Sequence, residues 1–386
     1  MLADFNFASV ADVRVGAGSS AELGAMANKL GISHALIVTD AGILKFGLLG
    51  PALDSLTDQK IAATVFSEVL ADPPESVVLA ALSVAREAGC DGVIGFGGGS
   101  SMDVAKLLAV LLVGNQSLVD IYGVDQVSGG RLPLIQVPTT AGTGSEATMV
   151  SIVTTGETTK AGVVSRVMLA DTIVLDAALT IDLPPHITAA TGIDAMVHGI
   201  EAYTSLRLKN PVSDMLAKEA LRLISQNIMR AVADGTDLGA REAMLLGAML
   251  AGQAFANAPV AAVHALAYPL GGNYHIAHGL SNSLVLPHVL RFNAPEAGHL
   301  YRELAPIILA STASYRDVGE AAEALADYFL RLATDLGLPT TLQEMGIDRD
   351  QLPKLAAEAL MQQRLLVNNP RPVTLADALA IYHQAY

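Results

Sequence analysis

Four side chains in this sequence could converge on one cation. In Thr191–Gly199 (TGIDAMVHG), Asp194 and His198 lie four residues apart. On a helix that spacing puts both on one face, a turn apart, where both reach one ion. His264 and His278 follow in HALAYPLGGNYHIAH, inside a stretch from Ala243 to Leu290 that holds no Asp, Glu, Lys or Arg. Two imidazoles from adjacent segments would complete a set of three nitrogens and one carboxylate oxygen. Such a set suits Fe²⁺ or Zn²⁺ and excludes the all-oxygen cages of Ca²⁺ and Mg²⁺. A helical Asp/His pair is also a common hydrogen-bonded pair, but polar groups in an apolar interior need partners, and a metal is the most economical one. His34, His186, His288, His299 and His383 have no such company and read as structural or solvated.

A second constellation is Gly92–Lys106 (GVIGFGGGSSMDVAK), a strand running into three glycines and then a helical pattern. Gly97, Gly98 and Gly99 let backbone N–H groups approach an anion that a Cβ would block, and the helix N-terminus adds donors and a positive dipole end. A pyrophosphate suits that place. Ser100 as N-cap with Asp103 three residues on reads as a capping box. The usual dinucleotide fingerprint is absent, since Gly95-x-Gly97 would need a third glycine where Ser100 stands. Asp40 ends the preceding apolar run ALIVTD; it either bonds an adenosine ribose, favouring NAD over NADP, or caps a helix beginning near Ile43. Pro138–Thr148 (PTTAGTGSEAT), with five hydroxyl residues and two glycines in eleven positions, is a further candidate wall.

Two kinds of element position these residues. Apolar runs at His34–Thr39, Ile61–Phe66, Gly92–Phe96, Leu132–Val137 and Thr172–Leu175 alternate with helical patterns at Ile43–Ser55, Glu75–Ala88 and Ser101–Val113. Such runs with helical crossovers indicate a parallel sheet covered on both faces. After Asp182, Leu183-Pro184-Pro185 ends the strand-rich half. Helical spacing follows at Ile187–Ser205, Pro211–Ala233, Leu238–Ala256, Val318–Leu336 and Leu352–Leu366. The expected fold class is an α/β domain over residues 1–182 followed by an all-α domain over 183–386.

Composition narrows the function classes. Of 386 residues, 52% are hydrophobic, and 38 acids against 23 bases give a net charge of −15. That balance offers no footprint for nucleic acid or anionic lipid. The lone Cys90 excludes an intrachain disulfide and fits a reducing cytoplasm. The start MLADFNFASV has no signal-peptide pattern. The charge-free stretch is interrupted by Gln253, Asn257, Pro259, His264, Pro269 and Gly271-Gly272, so it reads as a buried group of helices around a polar site, not a membrane span.

These segments together resemble the iron-containing (group III) alcohol dehydrogenase family, over essentially the whole chain. The marks are GFGGGSSMDVAK at 95–106, PTTAGTGSEAT at 138–148, TGIDAMVHGIEAY at 191–203, HALAYPLGG at 264–272, HIAHG at 275–279 and NNPR at 368–371. The resemblance implies the dehydroquinate synthase-like fold, with an N-terminal dinucleotide-binding and a C-terminal metal-binding domain. It implies metal ligation by Asp194, His198, His264 and His278. NAD would be held by Asp40, Gly98, Gly99, Ser100, Thr139, Thr140, Thr143, Thr148 and Lys160. Reversible hydride transfer between NAD and a small alcohol or aldehyde is the implied activity, in a homo-oligomer. A lyase of the dehydroquinate-synthase type, a reductase of hydroxy or oxo acids, and a non-catalytic metal-binding protein are the competing expectations. Where family members often carry a second histidine after the third ligand, this chain has Tyr268; that residue or His275 is the candidate proton carrier. The family's N-P-P turn here reads Asp72-Pro73-Pro74, and Ala170 replaces a usual proline.

Overall fold

The computed structural model describes residues 4–156, 159–311, 315 and 317–386. The chain divides into two compact units: Ala8–Asp182, and Leu183–Tyr386 together with the residues up to Phe7.

The first unit contains β1 (Asp12–Val15), α1 (Leu23–Lys29), β2 (His34–Val38), α2 (Ala41–Lys45), α3 (Gly50–Asp58), β3 (Ala62–Phe66), α4 (Glu75–Ala88), β4 (Gly92–Gly97), α5 (Gly99–Leu111), β5 (Gly123–Val124), β6 (Leu134–Pro138), β7 (Val150–Thr155), β8 (Thr159–Val164) and β9 (Thr172–Leu175). Six strands form a wholly parallel sheet in the order β1-β9-β6-β4-β2-β3. Alternate residues face opposite ways. Leu36 and Val38 pack with Val78, Ala81, Val104 and Leu108 of α4 and α5. Ala35 and Ile37 pack with Leu23, Ala27, Ala52 and Leu56 of α1 and α3. Burial on both faces explains why β2, β4, β6 and β9 read as near-continuous apolar runs.

Topology decides where this unit can bind a ligand. From β2 the chain goes to β3 on one flank, then returns to place β4 on the other flank and continues to β6. The reversal falls between β2 and β4, and open α/β sheets bind at such a point, beyond the carboxyl ends of the strands. Register pairs Val38 with Gly95 and Gly97 with Pro138, so the ends of β2, β4 and β6 lie at one edge.

Two readings of this half are corrected. The single helix expected over Ile43–Ser55 is two, α2 and α3, because Gly47 turns the chain between them at φ +69°. The segment after Pro138 is more than a polar loop: it continues into an antiparallel hairpin, β7–β8, which joins β5 in a second small sheet.

The second unit contains α6 (Pro185–Thr204), α7 (Pro211–Ala233), α8 (Leu238–Asn257), α9 (Ala262–Tyr274), α10 (His278–Ile308), α11 (Val318–Asp335), α12 (Leu352–Ala359), α13 (Gln363–Leu366) and α14 (Leu375–Ala385). Helix α6 is the centre: it packs against α7, α8 and α10 and is buried over most of its length. The charge-free stretch forms α8, α9 and the start of α10, largely buried. Among the described residues no single helix is long and apolar enough to cross a membrane; α8 and α9 pass only as a pair bent by 108°. The helix expected over Leu352–Leu366 breaks into α12 and α13.

Candidate functional site

Helix α6 carries Asp194 and His198 on one face, as their spacing expects. His264 stands near the start of α9 and His278 is the first residue of α10. One ligand-type atom from each of these four residues lies within 4.8 Å of the other three; Asp194, His198 and His264 are buried and His278 is exposed. The Nε2 atoms of His198 and His264 face each other at 3.0 Å, and His278 Nε2 is 3.7 Å from Asp194 Oδ1. Two ring nitrogens so close need a proton or a cation between them, so the donor set fits a metal.

Gly279 sets the fourth member. A Cβ there would lie 2.4 Å from the Ala190 carbonyl oxygen and 3.2 Å from Asp194 Cβ. Only glycine lets the start of α10 come this near α6, which puts His278 beside Asp194. Burial opposes the charge on Asp194, but the imidazoles of His198, His278 and His264 and the Asn282 amide outweigh it and hold its pKa below the ordinary carboxylate value.

Two supporting residues escape the sequence reading. Asn282, one turn beyond His278, donates from Nδ2 to Asp194 Oδ1 at 2.6 Å and lies 3.3 Å from both His264 Nε2 and His278 Nε2. Glu201, three residues after His198, is buried and reaches His264 Nδ1 at 2.6 Å. Their only signal is continuation of the ligand faces at i+3 and i+4. Phe255 of α8 stacks on His198 with ring centroids 4.4 Å apart. Tyr268, a turn after His264, comes to the rim, 6.0 Å from the His278 ring. His275 ends α9 in a left-handed conformation (φ +54°), exposed.

In the α/β unit the three glycines serve different needs. Gly97 has φ +150°, and a Cβ on it would lie 2.8 Å from Ser101 Oγ. At Gly99 a Cβ would press on Thr143 Cγ2 at 2.9 Å. At Gly98 a Cβ would meet nothing nearer than Thr140 Oγ1 at 3.8 Å, and the backbone is extended. Packing therefore does not demand glycine at 98, and an anion cradled before α5 would.

The capping box expected at Ser100 and Asp103 is corrected. Gly98 is the N-cap, so α5 starts earlier and Asp103 falls in its second turn. There Asp103 accepts from Ser145 Oγ at 2.5 Å and Ile152 N at 2.9 Å, and pairs with Lys106 at 2.9 Å. Lys106 is a buried cation that also donates to Ser145 O, Ser145 Oγ, Thr148 Oγ1 and Val150 O. This network fastens the segment after β6 onto α5, a role not read from the sequence.

Asp40 does cap α2: its Oδ1 accepts from Gly42 N at 2.8 Å and Ile43 N at 3.2 Å. Its Oδ2 would lie 3.5 Å from a Cβ on Gly97, so the second oxygen is turned towards β4. Thr139 N donates to Gly97 O at 3.0 Å, Thr140 lies beside Gly98 and Thr143 beside Gly99. Asp40, Gly97–Gly99, Ser100, Thr139, Thr140 and Thr143 thus share one edge of the sheet. The other two candidates are engaged differently. The Thr148 hydroxyl is buried and taken by Lys106 and the Ser145 carbonyl. Lys160 on β8 forms an ion pair with Asp72 of the turn after β3.

Residues 11–177 match the family model for iron-containing alcohol dehydrogenase, and residues 188–386 the model for the C-terminal part of that family. The chain is 41% identical over 377 residues to long-chain-alcohol dehydrogenase 1 of Geobacillus thermodenitrificans (strain NG80-2), across 96% of this chain and 94% of that protein. The crystal structure of a 1,3-propanediol oxidoreductase superposes with a TM-score of 0.95 at 34% identity, over 100% of both chains. That of sulfoacetaldehyde reductase from Bifidobacterium kashiwanohense, in complex with NAD⁺, does so with a TM-score of 0.87 at 29% identity, over 99% of each.

Proposed function

This chain belongs to the iron-containing alcohol dehydrogenase family, and we propose that it moves a hydride between NAD(H) and a small alcohol or aldehyde with the help of a divalent metal. The observation that carries this reading is the convergence of Asp194, His198, His264 and His278 within 4.8 Å. Iron(II) is the ion we assign, and zinc(II) suits the same donors.

Bound there, the ion supplies Lewis-acid polarisation of the substrate oxygen, and NAD supplies the hydride acceptor and donor. The chain's residues do the rest. A single carboxylate among three imidazoles balances only half of a divalent charge, so the site favours an oxygen that carries negative charge. Gly98 and the N-terminus of α5 would hold the pyrophosphate. The second oxygen of Asp40 would meet the ribose hydroxyls and repel a 2′-phosphate, which favours NAD over NADP. Thr139, Thr140 and Thr143 would donate to the cofactor from the adjoining loop, and Lys160 would exchange Asp72 for it. Tyr268 is a hydroxyl donor at the rim of the cluster, and the exposed His275 would pass the proton to solvent.

Alcohol oxidation tests the assignment directly. The Fe²⁺-loaded protein, given NAD⁺ and a series of primary alcohols, should release free NADH in molar excess over enzyme. A lyase that reoxidises its cofactor within each turnover releases none. Failure to exceed one equivalent with every alcohol, while metal and NAD⁺ are bound, would overturn the proposal.

A further inference from the structure

Glu201 is a buried acid beside the cluster to which the proposed chemistry gives no task. Its carboxylate reaches from α6 to the start of α9, where it accepts from Ala261 N at 2.9 Å and Val263 N at 2.7 Å. Ala261 is the N-cap residue of α9 and has no side chain to cap with, so Glu201 supplies the cap from another helix. The oxygen that takes the Ala261 N–H also meets His264 Nδ1 at 2.6 Å. A carboxylate already accepting from two backbone groups can only accept again. The ring hydrogen of His264 therefore sits on Nδ1, and Nε2 turns a lone pair to the cluster. The Asn282 amide accords with this: its Nδ2, a donor, lies 3.3 Å from His264 Nε2, as it does from His278 Nε2.

We propose that Glu201 is a positioning residue that makes His264 an Nε2 ligand. One side chain caps the helix that carries His264 and fixes the tautomer of its ring. The acid lies seven residues after Asp194 and three after His198, on the same helix as both. Carboxylate–histidine pairs of this kind fix ring orientation and raise ligand basicity in metal sites. The inference rests on the proposed metal centre.

Zn²⁺ affinity, measured by chelator competition on the EDTA-treated full chain, tests it without recourse to turnover. Glu201→Gln keeps the volume and one acceptor but replaces the second oxygen by an NH₂ group. Its Zn²⁺ affinity should fall about 10–100-fold with an unchanged circular dichroism spectrum. A folded Glu201→Gln protein that binds Zn²⁺ within about twofold of the parent, by the same measure, would overturn the proposal. If the parent takes up no Zn²⁺, or Asp194→Ala binds it equally well, the metal centre itself fails and the proposal falls with it. Should Glu201→Gln not fold, the parent protein decides. ¹⁵N spectra of histidine-labelled, metal-free protein, with His264→Gln to identify the resonance, should show His264 protonated at Nδ1. Protonation at Nε2 would overturn the role assigned to Glu201.

Discussion

Asp194 is the only acid among the four proposed metal donors, so replacing it removes both a ligand and the charge that balances the ion. Asp194→Ala should bind Fe²⁺ or Zn²⁺ at least about 100-fold more weakly, since losses one shell further out already reach that order; chelator competition reads this. Tyr268→Phe keeps a ring beside His278 and removes only the hydroxyl. If that hydroxyl donates the proton, kcat for aldehyde reduction should fall about 100-fold with metal content unchanged. An unaltered kcat and pH profile would take Tyr268 out of the relay. Asp40→Gly should shift the ratio of kcat/KM values towards NADP, while loss of the α2 cap costs only about a few tenths of a kcal/mol. No change in that ratio would leave Asp40 a cap and nothing more. At this scale the convergence of the four side chains was legible from the i, i+4 spacing of Asp194 and His198 and from His264 and His278 standing in a charge-free stretch, where polar groups have few other partners. Asp103 was misread because a capping box is a local pattern, and the true start of α5 depends on Gly98 and on what the helix packs against. Glu201 and Asn282 could not be assigned until α9 and α10 were placed beside α6.

Helices and strands set the distances between these groups, and glycines set the tightest of them. Gly279→Ala would push a methyl into the Ala190 carbonyl at 2.4 Å, so α10 must retreat from α6 and take His278 with it. Overpacking of this kind costs about 1–3 kcal/mol. A lowered Tm together with weakened Zn²⁺ binding is expected, and a change in neither would show that the helix contact is not what seats His278. The glycine loop should separate two effects. Gly97→Ala is strained by its φ and by Ser101, so it should lower Tm. Gly98→Ala meets only Thr140 at ordinary distance, so it should leave Tm nearly unchanged and weaken NADH binding, read by fluorescence titration. The inner parallel strands β2, β4, β6 and β9 were readable from sequence because both faces of the sheet are covered there and nearly every residue is buried. β1 was not, being exposed along its length. Nor was the hairpin β7–β8, because its strands carry no comparable apolar run and β7 is anchored by the Asp103–Lys106 network, which no local pattern announces.

Over the whole molecule, 38 acids against 23 bases leave a charge of −15, and one buried acid gives stability a pH dependence of its own. Burial lifts the Glu146 carboxyl to about 7 against the pull of Lys106, from an ordinary value of 4.5. The folded protein then keeps a proton that the unfolded chain releases. The associated stability is fully present below about pH 4.5 and drains away as the pH rises through about 7. Glu146→Gln should flatten the fall of Tm across that window; an identical pH profile would place the dependence elsewhere. The division into a strand-rich and a helical half was legible from the change of periodicity after Asp182. The grouping of the first residues with the helical unit was not, because nothing local in so short a segment records what it packs against. Metal-dependent hydride transfer is the function proposed for this chain. Its most direct test is NADH oxidation by anaerobically purified, EDTA-stripped protein, followed with a panel of short aldehydes before and after Fe²⁺ is added. Turnover should be absent after stripping and return with stoichiometric Fe²⁺. Full turnover by the stripped protein, or none from protein that demonstrably binds both Fe²⁺ and NADH, would contradict it.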